Sequence, residues 1–320
     1  MVDKLSAPIA VFLMGPTAVG KSSVAERLYE YLNAEVISVD SGQVYRGMNI
    51  GTAKPDQEFL QRIPHHLIDI RGIVESYSAA EFRDDARSLI ESILAKGKTP
   101  LLVGGTMFYF SVLENGISKL PRADPVVRAE IERIGREMGL EYLHQQLAEV
   151  DPASAAKIGV QDAQRLKRAL EIFRITGHPP SLMMAESCPR SLQVPYRKIA
   201  LFRPRSVLHE RIKARFLGMI EKGLIREVET LIRTLDEPGI LPSMRSVGYR
   251  QAVDYLNGKS TEDEMIEKGI AATRQLAKRQ LTWLRNQASI VWVNVENLNP
   301  ERVICEYLRS LNVDADIENT

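Results

Sequence analysis

The 320-residue sequence lacks most of the features that assign a protein to a class at once. Its only cysteines, Cys188 and Cys305, are too few and too far apart for a disulfide framework or a cysteine-rich metal site. Basic and acidic side chains number 42 and 41, so a net charge of +1 points to neither nucleic acid nor membrane. No apolar run approaches the ~20 residues that span a bilayer, and no secretory signal is evident. These absences predict a cytoplasmic protein with reduced thiols and no membrane partner.

What is present is typical of a globular enzyme, with 44% apolar and 26% charged residues and a length of about two domains. Helical patterns alternate with short apolar segments rich in Val, Ile and Leu, as in a parallel sheet covered by helices on both faces. The predicted strands are Ile9–Met14, Glu35–Val39, Thr99–Val103, Arg197–Arg203 and Ile290–Asn294. The sequence therefore predicts an α/β fold.

The stretch from Lys119 to Pro195 shows helical periodicity and almost no strand signal. One helix is predicted to begin at Asp124-Pro125, and a second to run from about Asp162 to Gly177. Their predicted buried faces are Val127, Ile131, Ile134 and Met138 in the first helix, and Leu166, Ala169, Leu170 and Phe173 in the second. We therefore expect an inserted all-helical domain over residues 119–194, within a core domain formed by residues 1–118 and 195–320.

A glycine-rich loop follows the first predicted strand and matches the phosphate-binding pattern G-x-x-x-x-G-K-[ST] without a mismatch. Glycines allow backbone N–H groups to face an anion, and the following helix adds its positive end. The lysine supplies a point charge, and the hydroxyl after it can bind Mg²⁺. The predicted diphosphate- or nucleotide-binding residues are Gly15, Pro16, Thr17, Ala18, Val19, Gly20, Lys21 and Ser22.

Asp40 directly follows the second predicted strand. The third predicted strand runs into Gly104, where nucleotide triphosphate hydrolases and kinases carry a Mg²⁺-ordering aspartate. Residues just past the carboxyl ends of parallel strands face the ligand crevice, so we expect Asp40 near Lys21 and Ser22. It could bind metal, accept a proton from a nucleophile or cap the following turn. The spacing leaves these roles open.

Local charge clusters lie within the near-neutral chain. Residues 268–285 carry five basic side chains and no acid, and a helix there would place Arg274 and Lys278 on one polar face. With a second basic segment at 203–215, this indicates a polyanion site. We expect His65 and His66 to form structural hydrogen bonds, and Trp283 and Trp292 to lie in the core.

Several blocks together resemble the tRNA dimethylallyltransferase (isopentenyltransferase) family. The glycine-rich loop alone would not indicate it, but the blocks occur in family order. They are Gly15–Ser22, Ile37–Tyr45 continuing into Met48–Pro55, Pro64–Asp69, Leu101–Thr106, Arg245–Arg250 and Ala271–Arg285. Eukaryotic relatives append a zinc finger, and the lack of a Cys/His cluster here resembles the shorter bacterial form. The resemblance implies a P-loop NTPase-like parallel sheet with an inserted helical domain.

The resemblance also implies a reaction. N6 of adenosine 37, beside the anticodon, attacks C1 of dimethylallyl diphosphate in the presence of Mg²⁺, giving N6-(dimethylallyl)adenosine and diphosphate. The family's general base matches Asp40, Lys21 would stabilise the leaving group, and Thr106 would hold the base or the diphosphate. Ser22 would bind Mg²⁺. Either Arg211 or Arg215 would reach the diphosphate, and the sequence does not choose between them.

The acceptor implied by the resemblance is the anticodon stem-loop of tRNA, with the reacting base splayed into the pocket. The implied tRNA contacts are Asp40, Ser41, Gly42, Gln43, Thr106, Arg128, Gln161, Asp162, Ala163, Gln164, Arg165, Arg245, Ser246, Val247, Gly248, Tyr249 and Arg250. The basic helix face adds Arg274 and Lys278 from its charge pattern. A monomer is the expected state.

Three alternatives remain at this point. A small-molecule or nucleoside kinase would account for the glycine-rich loop and the parallel sheet alone. A non-catalytic RNA-binding module would account for the basic segments. An adenylate isopentenyltransferase, which prenylates free AMP, is closer; the helical insertion and the basic C-terminal third favour a macromolecular acceptor over it.

Overall fold

The computed structural model describes residues 9–186, 190–233, 235, 239, 241–296 and 299–317, with side chains through residue 310. The chain divides into two compact units, one combining Met1–Glu114 with Leu192–Thr320 and the other consisting of Asn115–Ser191. We call them the sheet unit and the helical unit. The sequence analysis drew this division at residues 119 and 194. Cys188 lies outside the described residues, whereas Cys305 is a free, buried thiol.

The sheet unit is built on six parallel strands in the order β3-β2-β4-β1-β5-β6. The strands are β1 (Ala10–Met14), β2 (Ala34–Val39), β3 (His65–His66), β4 (Thr99–Gly104), β5 (Tyr196–Phe202) and β6 (Ile290–Asn294). Five of them confirm the predicted strands to within one residue at each end. The sixth, β3, has only two residues on the sheet edge, which is too short for a periodicity signal.

Helices cover both faces of the sheet, so the strands are buried on both sides. Along β1, Phe12 and Met14 join one apolar cluster, and Val11 and Leu13 join another on the opposite face. The helices of this unit are α1 (Lys21–Tyr31), α2 (Gln57–Arg62), α3 (Ala79–Ala95), α4 (Met107–Asn115), α10 (Arg205–Glu221), α11 (Leu224–Ile232), α12 (Tyr249–Leu256), α13 (Glu262–Arg285) and α14 (Pro300–Ile317). The predicted α/β fold with a parallel sheet and helices on both faces is confirmed.

Helix α13 contains both the acidic and the basic parts of its sequence segment. Thr261 and Glu264 form a capping box at its start, where acidic side chains complement the positive end of the helix dipole. The acidic residues 262–267 therefore belong to the first turns of the basic helix. Ala277 and Leu284 are buried as predicted. The polar face is thus carried by a long, well-capped helix.

The helical unit has its own small core. Its helices are α5 (Pro125–Glu137), α6 (Gly139–Val150), α7 (Pro152–Ala155), α8 (Ala163–Thr176) and α9 (Pro180–Glu186). Asp124 caps α5, accepting hydrogen bonds from the N–H groups of Val126 and Val127, and Gly177 ends α8 in the left-handed conformation. The core contains Ile131, Leu143, Leu147, Ala155, Leu166, Ala169 and Leu170.

Two expectations for the helical unit, the burial of Met138 and of Phe173, were wrong. Met138 is exposed because α5 ends at Glu137, so the predicted apolar face does not extend to it. Phe173 is only half-buried, and Ile172 takes the buried position. The two prolines after Gly177 do not prevent a further helix, because Pro180 is the first residue of α9, where its missing N–H costs nothing.

The adjacent histidines have structural partners, as expected. The His65 ring hydrogen-bonds the carbonyl of Ile63 at 2.6 Å, and the His66 ring hydrogen-bonds the Glu35 carboxylate at 3.0 Å. Both residues fix the short strand β3 beside β2. Among the described residues, no helix is both long enough and apolar enough to cross a membrane.

Candidate active site

The glycine-rich loop lies at the carboxyl end of β1 and leads into α1. Ala18 and Gly20 have φ angles of 63° and 106°, in the left-handed region, which turns the loop back on itself. Gly20 is the N-cap of α1 and provides no side-chain cap for the first N–H groups of the helix. The loop thus leaves backbone donors at the positive end of a helix, as an anion site requires.

The Lys21 ammonium is held against its own loop, donating hydrogen bonds to the carbonyls of Gly15 and Pro16, both at 2.9 Å. Burial, together with the nearby charge of Arg215, lowers the pKa of Lys21 to about 8, although Asp40 acts in the opposite direction. An anion bound at the loop would offset both the lost hydration and the repulsion. Lys21 is therefore a cation poised for a negatively charged ligand.

Arginines surround the same loop. Arg211 Nε donates to the carbonyl of Ala18 at 3.0 Å, and Arg203 Nε donates to that of Val19 at 2.8 Å. Burial lowers the pKa of Arg215; the Asp40 carboxylate partly opposes this effect, and Arg211 adds to it. Both candidate diphosphate ligands, Arg211 and Arg215, thus stand beside the loop. Arg203 was missed by the sequence analysis, although its place just past the end of β5 is a signal for the crevice.

Asp40 follows β2 and uses its two carboxylate oxygens differently. Oδ1 accepts hydrogen bonds from the backbone N–H groups of Gly42 at 2.8 Å and Gln43 at 3.3 Å. The turn-capping role is therefore present, but it occupies only this oxygen. Within the part of the chain that the structure describes, Oδ2 has no protein hydrogen-bond partner. Because Oδ1 is fixed by the turn, the carboxylate is oriented while Oδ2 keeps its lone pairs for another group.

Thr106 supports the segment that carries Asp40. Its Oγ1 accepts a hydrogen bond from the Ser41 N–H at 3.0 Å, and its own N–H donates to the carbonyl of Val39 at 3.2 Å. Gly104 makes this approach possible, because a Cβ there would lie 2.0 Å from the Val39 carbonyl oxygen. Of the two roles proposed for Thr106, holding the aspartate segment is the one for which the structure provides contacts.

Gln280 joins the loop to the end of β4, a role that the sequence analysis missed. The Thr17 N–H donates to Gln280 Oε1 at 2.8 Å, and Gln280 Nε2 donates to the Gly105 carbonyl at 2.8 Å. The side chain is buried, and its position between the buried Ala277 and Leu284 on α13 follows the core spacing of the helix. A polar residue at such a position was the available signal, since a buried amide needs partners.

A cavity of about 1250 Å³ in the sheet unit brings most of these groups together. Its lining includes the predicted residues Thr17, Ala18, Gly20, Lys21, Ser22, Asp40, Ser41, Gly42, Gln43, Thr106, Arg211, Arg215, Arg245, Ser246, Val247, Gly248 and Lys278. Phe108 and Trp283 are also part of the lining and are 53% and 38% exposed. The cavity therefore combines cations, one carboxylate and exposed aromatic rings.

Some predicted site residues lie elsewhere. Gly15, Pro16 and Val19 shape the loop without lining the cavity, Arg250 is exposed outside it, and Arg274 lines a second cavity. The prediction that Trp283 and Trp292 lie in the core was wrong, since both are 38% exposed. Each tryptophan stands at the end of an apolar sequence pattern. Hydrophobic periodicity does not distinguish a residue in the core from a residue that lines a cavity.

Tyr249 was expected to contact tRNA, but its side chain is fully buried. Its hydroxyl donates to Glu227 Oε1 at 2.6 Å, and the same carboxylate accepts hydrogen bonds from the N–H groups of Asn49, Ile50 and Gly51. Glu227 thus ties the loop after Met48 to the start of α12. The sequence analysis missed this residue, because a lone glutamate on an amphipathic helix gives no signal.

The remaining predicted contacts belong to the helical unit. Arg128 pairs with Glu171 at 3.1 Å, and Asp162 caps α8 by accepting a hydrogen bond from the Arg165 N–H at 3.3 Å. Gln161, Gln164 and Arg165 are exposed, while Asp162 and Ala163 are half-buried. Arg128 and Asp162 therefore have structural roles, and the exposed polar groups next to Asp162 form one short segment.

Groups that could bind a metal are few. Among the residues described, no three His, Cys, Asp or Glu side chains cluster as a metal cage. Mg²⁺ needs less, since it usually binds through one or two protein oxygens together with phosphate oxygens and water. Ser22 Oγ and Asp40 Oδ2 both belong to residues that line the cavity and have hard oxygen donors. This donor set fits Mg²⁺ bound together with a diphosphate.

The model of the IPP transferase family matches residues 43–287, more than half of the chain. The chain belongs to this family. The similarity to solved members extends further: a tRNA isopentenylpyrophosphate transferase from Bacillus halodurans is 36% identical, with 97% of this chain and 99% of that chain covered and a TM-score of 0.69. A tRNA delta(2)-isopentenylpyrophosphate transferase from Staphylococcus epidermidis is 30% identical over 96% of this chain and 100% of its own, with a TM-score of 0.68.

A eukaryotic dimethylallyltransferase acting on tRNA is also similar, with 27% identity, 90% of this chain and 74% of that chain covered and a TM-score of 0.74. Together these matches confirm the family that the ordered sequence blocks indicated. They also confirm the fold class, since the six-stranded parallel sheet accompanies the family. Membership in this family makes the protein a transferase, which disfavours the non-catalytic alternative.

Proposed function

We propose that the protein transfers the dimethylallyl group of dimethylallyl diphosphate to N6 of adenosine 37 in the anticodon stem-loop of tRNA. Family membership supports prenyl transfer to tRNA. The observation that carries the mechanism is the cavity itself, in which the oriented Asp40 carboxylate and the cations of the glycine-rich loop line the same space. The reaction needs both in one pocket, because the carboxylate must take a proton from the nucleophile while the cations stabilise the leaving group.

In the proposed reaction, the loop amides, Lys21 and the arginines Arg211 and Arg215 bind the diphosphate. The N6 lone pair forms a bond to C1 of the prenyl group while the C1–O bond breaks, and the electron pair leaves with the diphosphate. Cations fixed in a pocket stabilise this growing negative charge more strongly than water would. Lys21 needs no rearrangement of the loop to serve, since its ammonium already lies there.

Asp40 Oδ2 accepts the proton that N6 loses. The turn that fixes Oδ1 orients the carboxylate, and Thr106 holds the adjoining Ser41. Mg²⁺ bound through Ser22 Oγ would supply further neutralisation of the diphosphate. The aromatic side chains of Phe108 and Trp283 offer apolar surface for a base that has left its stack.

Two features favour a macromolecular acceptor. Arg245 and Lys278 extend the cationic lining away from the glycine-rich loop, and the helical unit presents an exposed polar segment at Gln161–Arg165. Neither feature is required to bind free AMP as the acceptor. The kinase alternative is disfavoured because Gly104 and Gly105 occupy the end of β4, where a Mg²⁺-ordering carboxylate would be expected.

The test compares acceptors. Purified protein with Mg²⁺ and dimethylallyl diphosphate is incubated with unmodified tRNA or with AMP, and the nucleosides are analysed by mass spectrometry. The proposal predicts N6-(dimethylallyl)adenosine at position 37 of the tRNA and little product from AMP. A product from AMP alone, or phosphate release from ATP without any prenyl product, would contradict it.

A further inference from the structure

A second cavity, of about 750 Å³, lies on the basic helix, and its lining includes no residue of the glycine-rich loop. It is enclosed by α10, α13 and β6, and its walls include Arg205, His209, Arg274, Lys278, Arg285 and Trp292. Only Lys278 and Gln275 are shared with the candidate active site. Arg274 was predicted only as a tRNA contact and Arg203 contacts the glycine-rich loop, and no bond-forming or proton-transfer step of the proposed reaction uses the other lining residues.

The cavity is cationic. Within the described part of the chain, Arg205, Arg274, Lys278 and Arg285 have no acidic partner within salt-bridge distance. Arg203 also lines it but is already paired with Glu296. The Nε of Arg274 is buried without a hydrogen-bond partner among the described residues. A buried unpaired donor is costly, so the protein itself leaves the hydrogen bonding of the Arg274 guanidinium incomplete.

His209 responds to this charge. Burial lowers the pKa of His209, and the charges of Arg274 from α13 and Arg205 from its own helix lower it further; Glu210 acts in the opposite direction. Because cations surround the ring, a bound phosphate would stabilise the imidazolium and raise the pKa. His209 is therefore a reporter located inside the cavity.

The wall of the cavity also contains an aromatic side chain. Trp292 is partly exposed at the wall and meets Phe202 edge to face, with ring centroids 6.0 Å apart. Stacking on an aromatic side chain stabilises a nucleobase. The volume lies within the range of ~300–1,000 Å³ that is usual for small-ligand pockets, so it suits one nucleotide better than a duplex.

We propose that this cavity binds one phosphorylated nucleoside, with the phosphate among Arg205, Arg274 and Arg285 and the base against Trp292. The nucleotide comes either from solution or from an RNA chain. The proposal does not depend on prenyl transfer, because its readout is binding at His209. We name the cavity the second nucleotide cleft.

The experiment follows the His209 imidazole by ¹H–¹⁵N NMR, with the resonance assigned from its loss in His209→Gln. AMP, inorganic phosphate and a tRNA anticodon stem-loop are titrated separately. We expect AMP or the stem-loop to shift the resonance saturably and to raise the pKa of His209, with phosphate binding more weakly because it has no base. Persistence of the shift in Lys21→Ala would separate the cleft from the glycine-rich loop.

Arg285→Gln and Arg274→Gln should each weaken binding about 10-fold, the loss expected for one charge-assisted hydrogen bond. Arg285→Lys should restore part of it. Arg226→Gln, an exposed position on α11 outside both cavities, is the matched control and should bind as the wild type does. Trp292→Ala should reduce the affinity for AMP towards that for phosphate.

The titrations distinguish the two possible sources of the nucleotide, solution and an RNA chain. A shift with AMP indicates a free nucleotide, and a shift with the stem-loop alone indicates a nucleotide of the RNA. The proposal is overturned if no ligand moves the His209 resonance, or if Arg285→Gln and Arg274→Gln bind as tightly as the wild type. Failure of prenyl transfer with intact His209 shifts would count against the proposed function alone.

Discussion

The glycine-rich loop of the sheet unit and the core of the helical unit differ in how their charges are balanced. In the helical unit, the buried Glu171 carboxylate pairs with Arg128 at 3.1 Å and with Arg168 at 2.7 Å. At the glycine-rich loop, Lys21, Arg211 and Arg215 stand together with Asp40 as the nearby acid, and burial lowers the pKa of Lys21 and Arg215. Balanced charge supports a fold, whereas this cationic excess prepares a site for an anion.

The comparison also separates two kinds of aspartate. Asp151 in the helical unit accepts hydrogen bonds from Ser154 and Ser181 on both carboxylate oxygens. Asp40 in the sheet unit has its turn contacts on Oδ1 alone. A carboxylate with one fixed and one available oxygen is oriented for proton transfer, and one with both oxygens bonded is not. The number of occupied oxygens therefore distinguishes a candidate base from a structural cap.

The largest effect is expected for Asp40→Asn. The amide preserves an acceptor for the turn but cannot accept the N6 proton, so kcat should fall by ~10³-fold, within the range for a lost general base. Single-turnover prenyl transfer measures this, and filter binding should show an unchanged affinity for tRNA. Asp151→Asn is the matched substitution in the helical unit. Full activity of Asp40→Asn would exclude this carboxylate as the base.

A smaller effect, on stability, is expected for Glu171→Gln. Removing the charge weakens two charge-assisted hydrogen bonds, so the local free energy of unfolding should fall by ~2 kcal/mol. Hydrogen exchange of the α5 and α8 amides measures it in the helical unit itself. The control is Glu130→Gln, which removes an exposed pair with Arg174 and should cost under ~0.5 kcal/mol. Equal losses in both variants would contradict the distinction between buried and exposed pairs.

Gln280→Ala should lower kcat/KM for dimethylallyl diphosphate by ~10-fold, because the Thr17 N–H and the Gly105 carbonyl lose their shared partner. Gln280→Glu keeps the acceptor for Thr17 and places a negative charge beside the Gly105 carbonyl. If Gln280 positions the loop, the defect should appear mainly in KM and not in the affinity for tRNA. An equal loss of tRNA binding would indicate a general structural role instead.

Much of this fold could be predicted from local features of the sequence. The five longer strands, the loop and the caps at Asp124 and Gly177 depend on neighbours a few residues away. Gln280 could not be assigned in this way, since its partner Thr17 is 263 positions distant along the chain. Strand β3 is likewise defined by pairing with β2, not by its own composition.

The candidate site was predictable where chemistry follows from residue type and position. Asp40 could be placed because it follows the carboxyl end of β2, and Lys21 because it follows the glycine-rich loop after β1. The buried state of Tyr249 and the exposure of Trp283 could not be derived, because both depend on which helix packs against which face. The blocks of the family resemblance identified the neighbourhood of Tyr249 but not the direction of its side chain.

The central claim is that cations in excess at the glycine-rich loop bind diphosphate. With the pKa of Lys21 lowered to about 8, its charge is lost as the pH rises through that value, so diphosphate affinity should weaken above pH 8. Calorimetric titration of inorganic diphosphate at pH 8, at constant Mg²⁺ and in two buffers of different ionisation enthalpy, measures the protons exchanged on binding. The account predicts that the wild type takes up about half a proton more than Lys21→Arg, which is charged throughout. Identical proton exchange in the two proteins, or no diphosphate binding by the wild type, would contradict it.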